Sequence, residues 1–273
     1  MTTLELFDTH CHLQDRKFQG EAEQVIARAV ESGVGEMLVC AFDLDSIDAT
    51  LELAQRHGPV LASVGIHPHD AHQVDDAALA RIRSAAAEGR CVAIGEIGLD
   101  HYRDLSPRDV QLRALVAQLE VAIDLGLPVS VHSRGAEAAI LAPLGDFAGR
   151  SPLRGQGRPV GVMHCFAGPR DLAERFVEYG FLISIPCTIT YPNNANAREL
   201  ARQLPLESLV VETDAPYLPP QVIRGRRNEP MHVGEAVRSI AECRGISTEA
   251  VARATTANAR RAFGARVPAG ATG

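Results

Sequence analysis

The chain has no Trp, a single Lys (Lys17) and an aromatic content of only 4%. That scarcity excludes an extended platform of rings on which many successive bases of a long single strand would stack. No apolar run reaches ten residues, so none is long enough to cross a bilayer. The start, MTTLELFDTHCH, lacks a basic segment followed by an apolar stretch, so no secretory signal and no membrane attachment are expected. The six Cys (Cys11, Cys40, Cys91, Cys165, Cys187, Cys243) are scattered and form no CxxC pair. They read as core thiols of a reducing compartment rather than a disulfide framework, and a cytoplasmic location is the expectation. A net charge of -7 argues against indiscriminate coating of nucleic acid, although an active-site mouth can still be locally positive.

What the chain does have is alternation. Short apolar runs predict strands near 4–8, 36–41, 60–66, 91–96, 128–132, 160–164, 181–185 and 208–212. Amphipathic spacing predicts helices between them, near 21–32, 46–57, 76–88, 107–126, 135–143, 169–179, 194–203 and 230–244. The stretch SPRDVQLRALVAQLEVAIDLG, for example, opens on a Ser-Pro pair and stops at Gly126. Eight strands each followed by a helix give an α/β fold, a single (β/α)8 TIM barrel. STEAVARATTANARRAFG adds a C-terminal helix expected to pack outside the barrel. Residues 1–265 are read as one domain and 266–273 as a loose tail. The Gly/Arg/Pro stretch 149–159 is read as a plain surface loop.

Residues able to bind a metal recur where these strands end. His10 and His12 follow LELFD, His67 follows LASVGI, Glu96 follows CVAIG, His132 follows PVSV, His164 follows VGVM, and Asp214 follows LVVET. One strand-end His is more often a hydrogen-bonded structural residue than a ligand. A closed ring of parallel strands, however, gathers all its C-terminal ends at one mouth, where barrel enzymes place their chemistry. Asp8, His10 and His12 alternate, so strand geometry predicts that they face one side. Six ligand groups, His10, His12, Glu96, His132, His164 and Asp214, are enough for two divalent ions with room for water. A carbamylated lysine bridges the metals of many such barrels, but Lys17 lies in a loop. Glu96, with two carboxylate oxygens, is the best-placed bridge. Imidazole-rich ligands favour zinc or manganese, and carboxylates tolerate magnesium.

In this order and spacing, FDTHCHL, GIHPH, GEIGLDHYRD, PVSVHSR, HCFAG, ETDAPYL and RNEP resemble the TatD-type deoxyribonucleases of the amidohydrolase superfamily. The resemblance runs from about residue 6 to residue 263. It implies a two-metal site and metal-dependent phosphodiester hydrolysis, typically 3′–5′ exonuclease action on DNA supported by magnesium. Carried over by position, it implies one ion at His10, His12, Glu96 and Asp214, and the other at Glu96, His132 and His164. Asp214 would be the proton acceptor for a bridging hydroxide, and Glu212 in ETD would support the site from behind. Two departures stand out. Gly135 follows HSR where the family often has Asp, and Ala167 stands in HCFAG where Ser is commoner. Neither removes a ligand, but the first puts in doubt a hydrogen bond near His132.

Substrate contacts are less sharply drawn. His67 is expected to face substrate or support the ligands. Tyr102, Arg103 and Tyr217 are candidates to stack on or bind a terminal nucleotide, although packing explains the tyrosines equally well. The segment 215–229 carries Arg224, Arg226, Arg227 and Asn228, which would meet phosphate if that loop borders the mouth. The 3′ end of DNA is the expected substrate. No membrane or obligate protein partner is indicated, and a monomer is preferred. Two other readings compete: a same-fold hydrolase of another ester, such as a D-aminoacyl-tRNA, and a non-catalytic metal-binding protein.

Overall fold

A computed structural model describes residues 4–87 and 91–264. The expected tail 266–273 lies outside the described residues, as does the last residue of the helix expected at 76–88. Eight parallel strands form one sheet in sequence order: β1 Leu6–Cys11, β2 Val34–Cys40, β3 Val60–Val64, β4 Cys91–Asp100, β5 Val129–Arg134, β6 Gly161–Met163, β7 Phe181–Pro186 and β8 Leu209–Glu212. The seam between β8 and β1 is nearly closed. The Asp214 amide donates to the His10 carbonyl at 2.9 Å and the His12 amide to the Ala215 carbonyl at 2.7 Å. The (β/α)8 TIM barrel is thus present, with every strand end delivered to one rim.

Ten helices lie among the described residues: α1 Ala22–Glu31, α2 Leu44–Arg56, α3 Asp76–Ala86, α4 Arg108–Leu125, α5 Leu141–Arg150, α6 Pro152–Gly155, α7 Arg170–Glu178, α8 Ala195–Gln203, α9 Val233–Arg244 and α10 Thr248–Phe263. Local chemistry sets several ends. The Asp43 carboxylate caps α2 by accepting from the Ser46 amide, and Gly126 ends α4 in the left-handed conformation at φ 61°.

Three expectations need correction. The helix read at 135–143 begins only at Leu141, because Gly135 turns the chain at φ 64° and Pro143 sits in the first turn rather than ending the helix. The stretch 149–159 is not all loop, since it contains the end of α5 and the short α6. The C-terminal helix α10 also does more than lie outside. Its Ala259, Ala262 and Phe263 join the lumen cluster of Phe7, Leu38, Leu61, Val92, Leu182 and Val210, so it plugs the barrel at the end opposite the site. Phe263 meets Phe7 with ring centroids 6.3 Å apart.

β1 also departs from simple alternation. Its register with β2 shifts between Asp8 and Cys11. Phe7 belongs to the lumen cluster. The Asp8 carboxylate instead turns to the seam, where it accepts from the Thr213 amide at 2.9 Å and the Thr213 hydroxyl at 2.5 Å.

Candidate metal centre

Glu96 lies at the centre of the rim. β4 carries it in, its amide donates to the Ala41 carbonyl at 2.9 Å, and its side chain is almost fully buried. One carboxylate oxygen, Oε2, is 3.3 Å from His10 Nε2 and 3.6 Å from His12 Nε2. The other, Oε1, is 3.0 Å from His132 Nδ1, 3.6 Å from His164 Nε2 and 3.5 Å from His67 Nε2. Asp214 Oδ1 completes the His10 side, 3.6 Å from His12 Nε2. The six residues proposed as ligands therefore meet in one place.

The far side of each imidazole decides what its near side can offer. His12 Nδ1 lies 2.8 Å from the Cys40 carbonyl, which can only accept, so Nδ1 carries the proton and Nε2 presents a lone pair. His10 Nδ1 reaches Ser130 Oγ at 3.3 Å and also turns Nε2 inward. Those two Nε2 atoms are 3.2 Å apart. Two nitrogens on a tetrahedral zinc would be roughly 3.3 Å apart, so the residues fit a cation. The Glu212 carboxylate stands 3.0 Å behind His164 Nδ1, although the pair is not aligned for an ordinary hydrogen bond. Carboxylates placed behind a ligand imidazole hold its orientation and raise its basicity.

His67 differs. Distance alone would let His67, Glu96 and His132 share an ion. Its Nδ1, however, accepts the His69 amide at 3.1 Å, which leaves the proton on Nε2. In that tautomer His67 is a donor aimed at the site, not a ligand.

The electrostatics agree with this division. Burial pulls the His67 pKa well below its ordinary value, so the ring stays neutral. Burial alone would raise the Glu96 pKa, but the surrounding imidazoles, His67, His10 and His164 foremost, hold it well below the carboxylate range. Asp214 is likewise lowered, since the His12 and His164 imidazoles around it outweigh burial. Burial opposes charge on His164, yet the pull of Glu212 and Glu96 pushes it up to about 10.

The remaining candidates are placed as follows. Tyr217 stands beside His12 with ring centroids 6.3 Å apart, bonds Asp15 through its hydroxyl at 2.7 Å, and lies under Lys17 Nζ at 4.1 Å. Tyr102 is 69% exposed, with the Arg134 guanidinium over its ring at 4.1 Å. The Arg103 amide binds Asp100. Arg227 is engaged by Glu21 and Glu229 and lies over Phe18. Asn228 is buried and donates to the Thr213 and Leu218 carbonyls, which pins the loop after β8. Sequence reasoning passed over Asp100, Ser130, His69 and the Cys40 carbonyl. For Asp100 the signal was present: it lies four residues beyond Glu96 on one strand, hence on the same side.

Comparison with known proteins places this geometry. The model of the family described as TatD related DNase matches residues 7–264. The uncharacterized metal-dependent hydrolase YabD of Bacillus subtilis is 34% identical over 258 residues, covering 94% of this chain and 98% of that protein. The 3′-5′ ssDNA/RNA exonuclease TatD of Escherichia coli is 34% identical over 264 residues, covering 95% of this chain and 99% of that protein. The crystal structure of YjjV, a TatD homologue from Escherichia coli, superposes with a TM-score of 0.89 at 32% identity, covering 97% of this chain and all of that one.

Proposed function

This chain belongs to the TatD-related DNases, a family of metal-dependent hydrolases, and we propose that it removes nucleotides from the 3′ end of DNA with two divalent ions. The carrying observation is Glu96, which offers one oxygen to the His10 and His12 side and the other to the His132 and His164 side. In this reading His10, His12, Glu96 and Asp214 hold one ion, and Glu96, His132 and His164 the other. Magnesium, manganese and zinc all suit these donors. When bound, such a pair of ions neutralises phosphodiester charge, activates water and supports the leaving oxygen.

The chain's own groups do the rest. Asp214, kept ionised by its neighbours, accepts the proton released from water at a carboxylate oxygen. His67, with its proton on Nε2, donates to a phosphate oxygen of the substrate. Glu212 keeps His164 turned toward Glu96. Tyr217, beside His12, and Tyr102, near the rim, border the path of a strand end. With so few rings at the mouth, a site a few nucleotides deep suits the chain better than a long track. Four of the six cysteines, Cys11, Cys40, Cys91 and Cys187, are buried like core thiols, which supports a reducing, cytoplasmic setting. Among the described residues no helix is long and apolar enough to cross a membrane.

The test is direct. Purified protein with manganese or magnesium is given single strands labelled at the 3′ or the 5′ end. Mononucleotide release from the 3′ end is expected, and it should vanish in Glu96→Ala, which controls for contaminating nuclease. Cleavage of a nitrophenyl ester with DNA left intact would overturn the substrate assignment.

A further inference from the structure

Behind His132 stands a carboxylate that none of the foregoing uses. Asp100 ends β4 with no measurable exposure, and it collects four donors. Oδ2 faces His132 Nε2 at 3.3 Å and His69 Nε2 at 2.9 Å. Oδ1 accepts the amides of Tyr102 at 2.9 Å and Arg103 at 2.7 Å. Its own backbone is clamped by Gln111, whose Oε1 accepts the Asp100 amide at 2.8 Å and whose amide nitrogen donates to the Asp100 carbonyl at 3.2 Å. His69 is fastened a second time, because Ser106 Oγ donates to its carbonyl at 2.8 Å. The backbone amide of that same His69 sets the tautomer of His67.

We propose that Asp100 is a positioning residue for two imidazoles of the site at once. It fixes the His132 proton on Nε2, so that Nδ1 is the atom turned to Glu96, and through His69 it fixes His67 as a donor. A carboxylate can only accept, so the nitrogen that faces Asp100 carries a proton, and a half-turn of the His132 ring would put a carbon in its place and lose that bond. By gathering the Tyr102 and Arg103 amides, the same group holds the rim loop in register with the ligand.

The inference rests on the reading of His132 as a ligand, and its test separates the two. Zinc is titrated into metal-free protein in competition with a chromophoric chelator, and histidine tautomers in the zinc-loaded protein are read by long-range proton–nitrogen correlation, with His132 assigned through His132→Gln. The wild type should show His132 protonated at Nε2. Asp100→Asn should weaken the His132-side ion roughly 10–100-fold while the His10-side ion holds, since loss of a partner behind a ligand costs about that much affinity. His69→Ala should leave both zinc affinities in place, alter the His67 signal and lower kcat more than it changes KM. Wild-type affinity in Asp100→Asn, with the His132 signal unchanged, would overturn the proposal. If that variant does not fold, a wild-type His132 protonated at Nδ1 overturns it without any mutant. Saturation of the wild type at one zinc ion would instead remove the two-ion reading, and the His132 tautomer would still decide the role of Asp100.

Discussion

Replacing Gly98 by alanine should part the two strands that carry Glu96 and His132. Gly98 pairs with His132 across β4 and β5 and adopts φ 152°, a region nearly reserved for glycine. A Cβ there would lie 1.9 Å from the His132 carbonyl oxygen and 2.8 Å from the carbonyl carbon, and both of these are backbone atoms that cannot swing aside. Ordinary contact needs about 3.5 Å, so the strands must separate by an ångström or more. Backbone strain of about 1–3 kcal/mol adds to overpacking of about 1–3 kcal/mol. The sum, about 2–6 kcal/mol, is a large part of a typical net stability of about 5–15 kcal/mol. At about 2–4 °C per kcal/mol for a chain of this size, Tm should fall by roughly 5–20 °C. Thermal unfolding followed by circular dichroism reads that loss, and chelator competition reads the weakened ion beside His132. Gly149→Ala in α5, where an added Cβ meets nothing within 4 Å, is the control and should leave Tm unchanged or slightly higher. A Gly98→Ala protein that melts within about 2 °C of wild type and binds metal as before would refute the reasoning.

Other outcomes follow from the same geometry. Asp214→Asn should keep the native circular dichroism spectrum while turnover falls about 10²–10⁴-fold, and full activity would contradict its role as proton acceptor. Phe263→Ala should cost about 3–5 kcal/mol by opening the plugged end of the barrel, which urea unfolding would detect. In metal-free protein His164 is raised to about 10, so its contribution is fully present below the ordinary His value of about 6.5 and is lost as pH rises through about 10. The urea midpoint should therefore fall between pH 6.5 and 10. Glu212→Gln should flatten that fall, and an unchanged slope in the variant would show that Glu212 is not its cause.

The fold was legible because each strand is a compact apolar run and each helix keeps its period. The candidate ligands stood out because residues of that kind rarely end five strands by chance, and the structure brings the six side chains together. What escaped depends on the shape of the backbone. Ser106 looked like the cap of α4, but its hydroxyl serves the His69 carbonyl, a partner 37 residues away. The lone pair of His12 is set by the Cys40 carbonyl, and a main-chain atom leaves no trace in residue identity. Asp8 matched the alternation of His10 and His12, yet the irregular register of β1 hands it to Thr213. Pro143 reads as a stop in a sequence and as a first-turn residue in the structure, and only the placement of Leu144 and Phe147 in the core distinguishes the two.

The stopper formed by Ala259, Ala262 and Phe263 has a consequence for biosynthesis. All the candidate metal-binding groups are in the chain once residue 214 is joined, yet the floor beneath them is completed only when Ala259, Ala262 and Phe263 follow. Early chains can thus hold every donor of the reaction centre without the dry foundation that keeps those donors aligned, and competence should arrive abruptly as residues 248–263 swing into place.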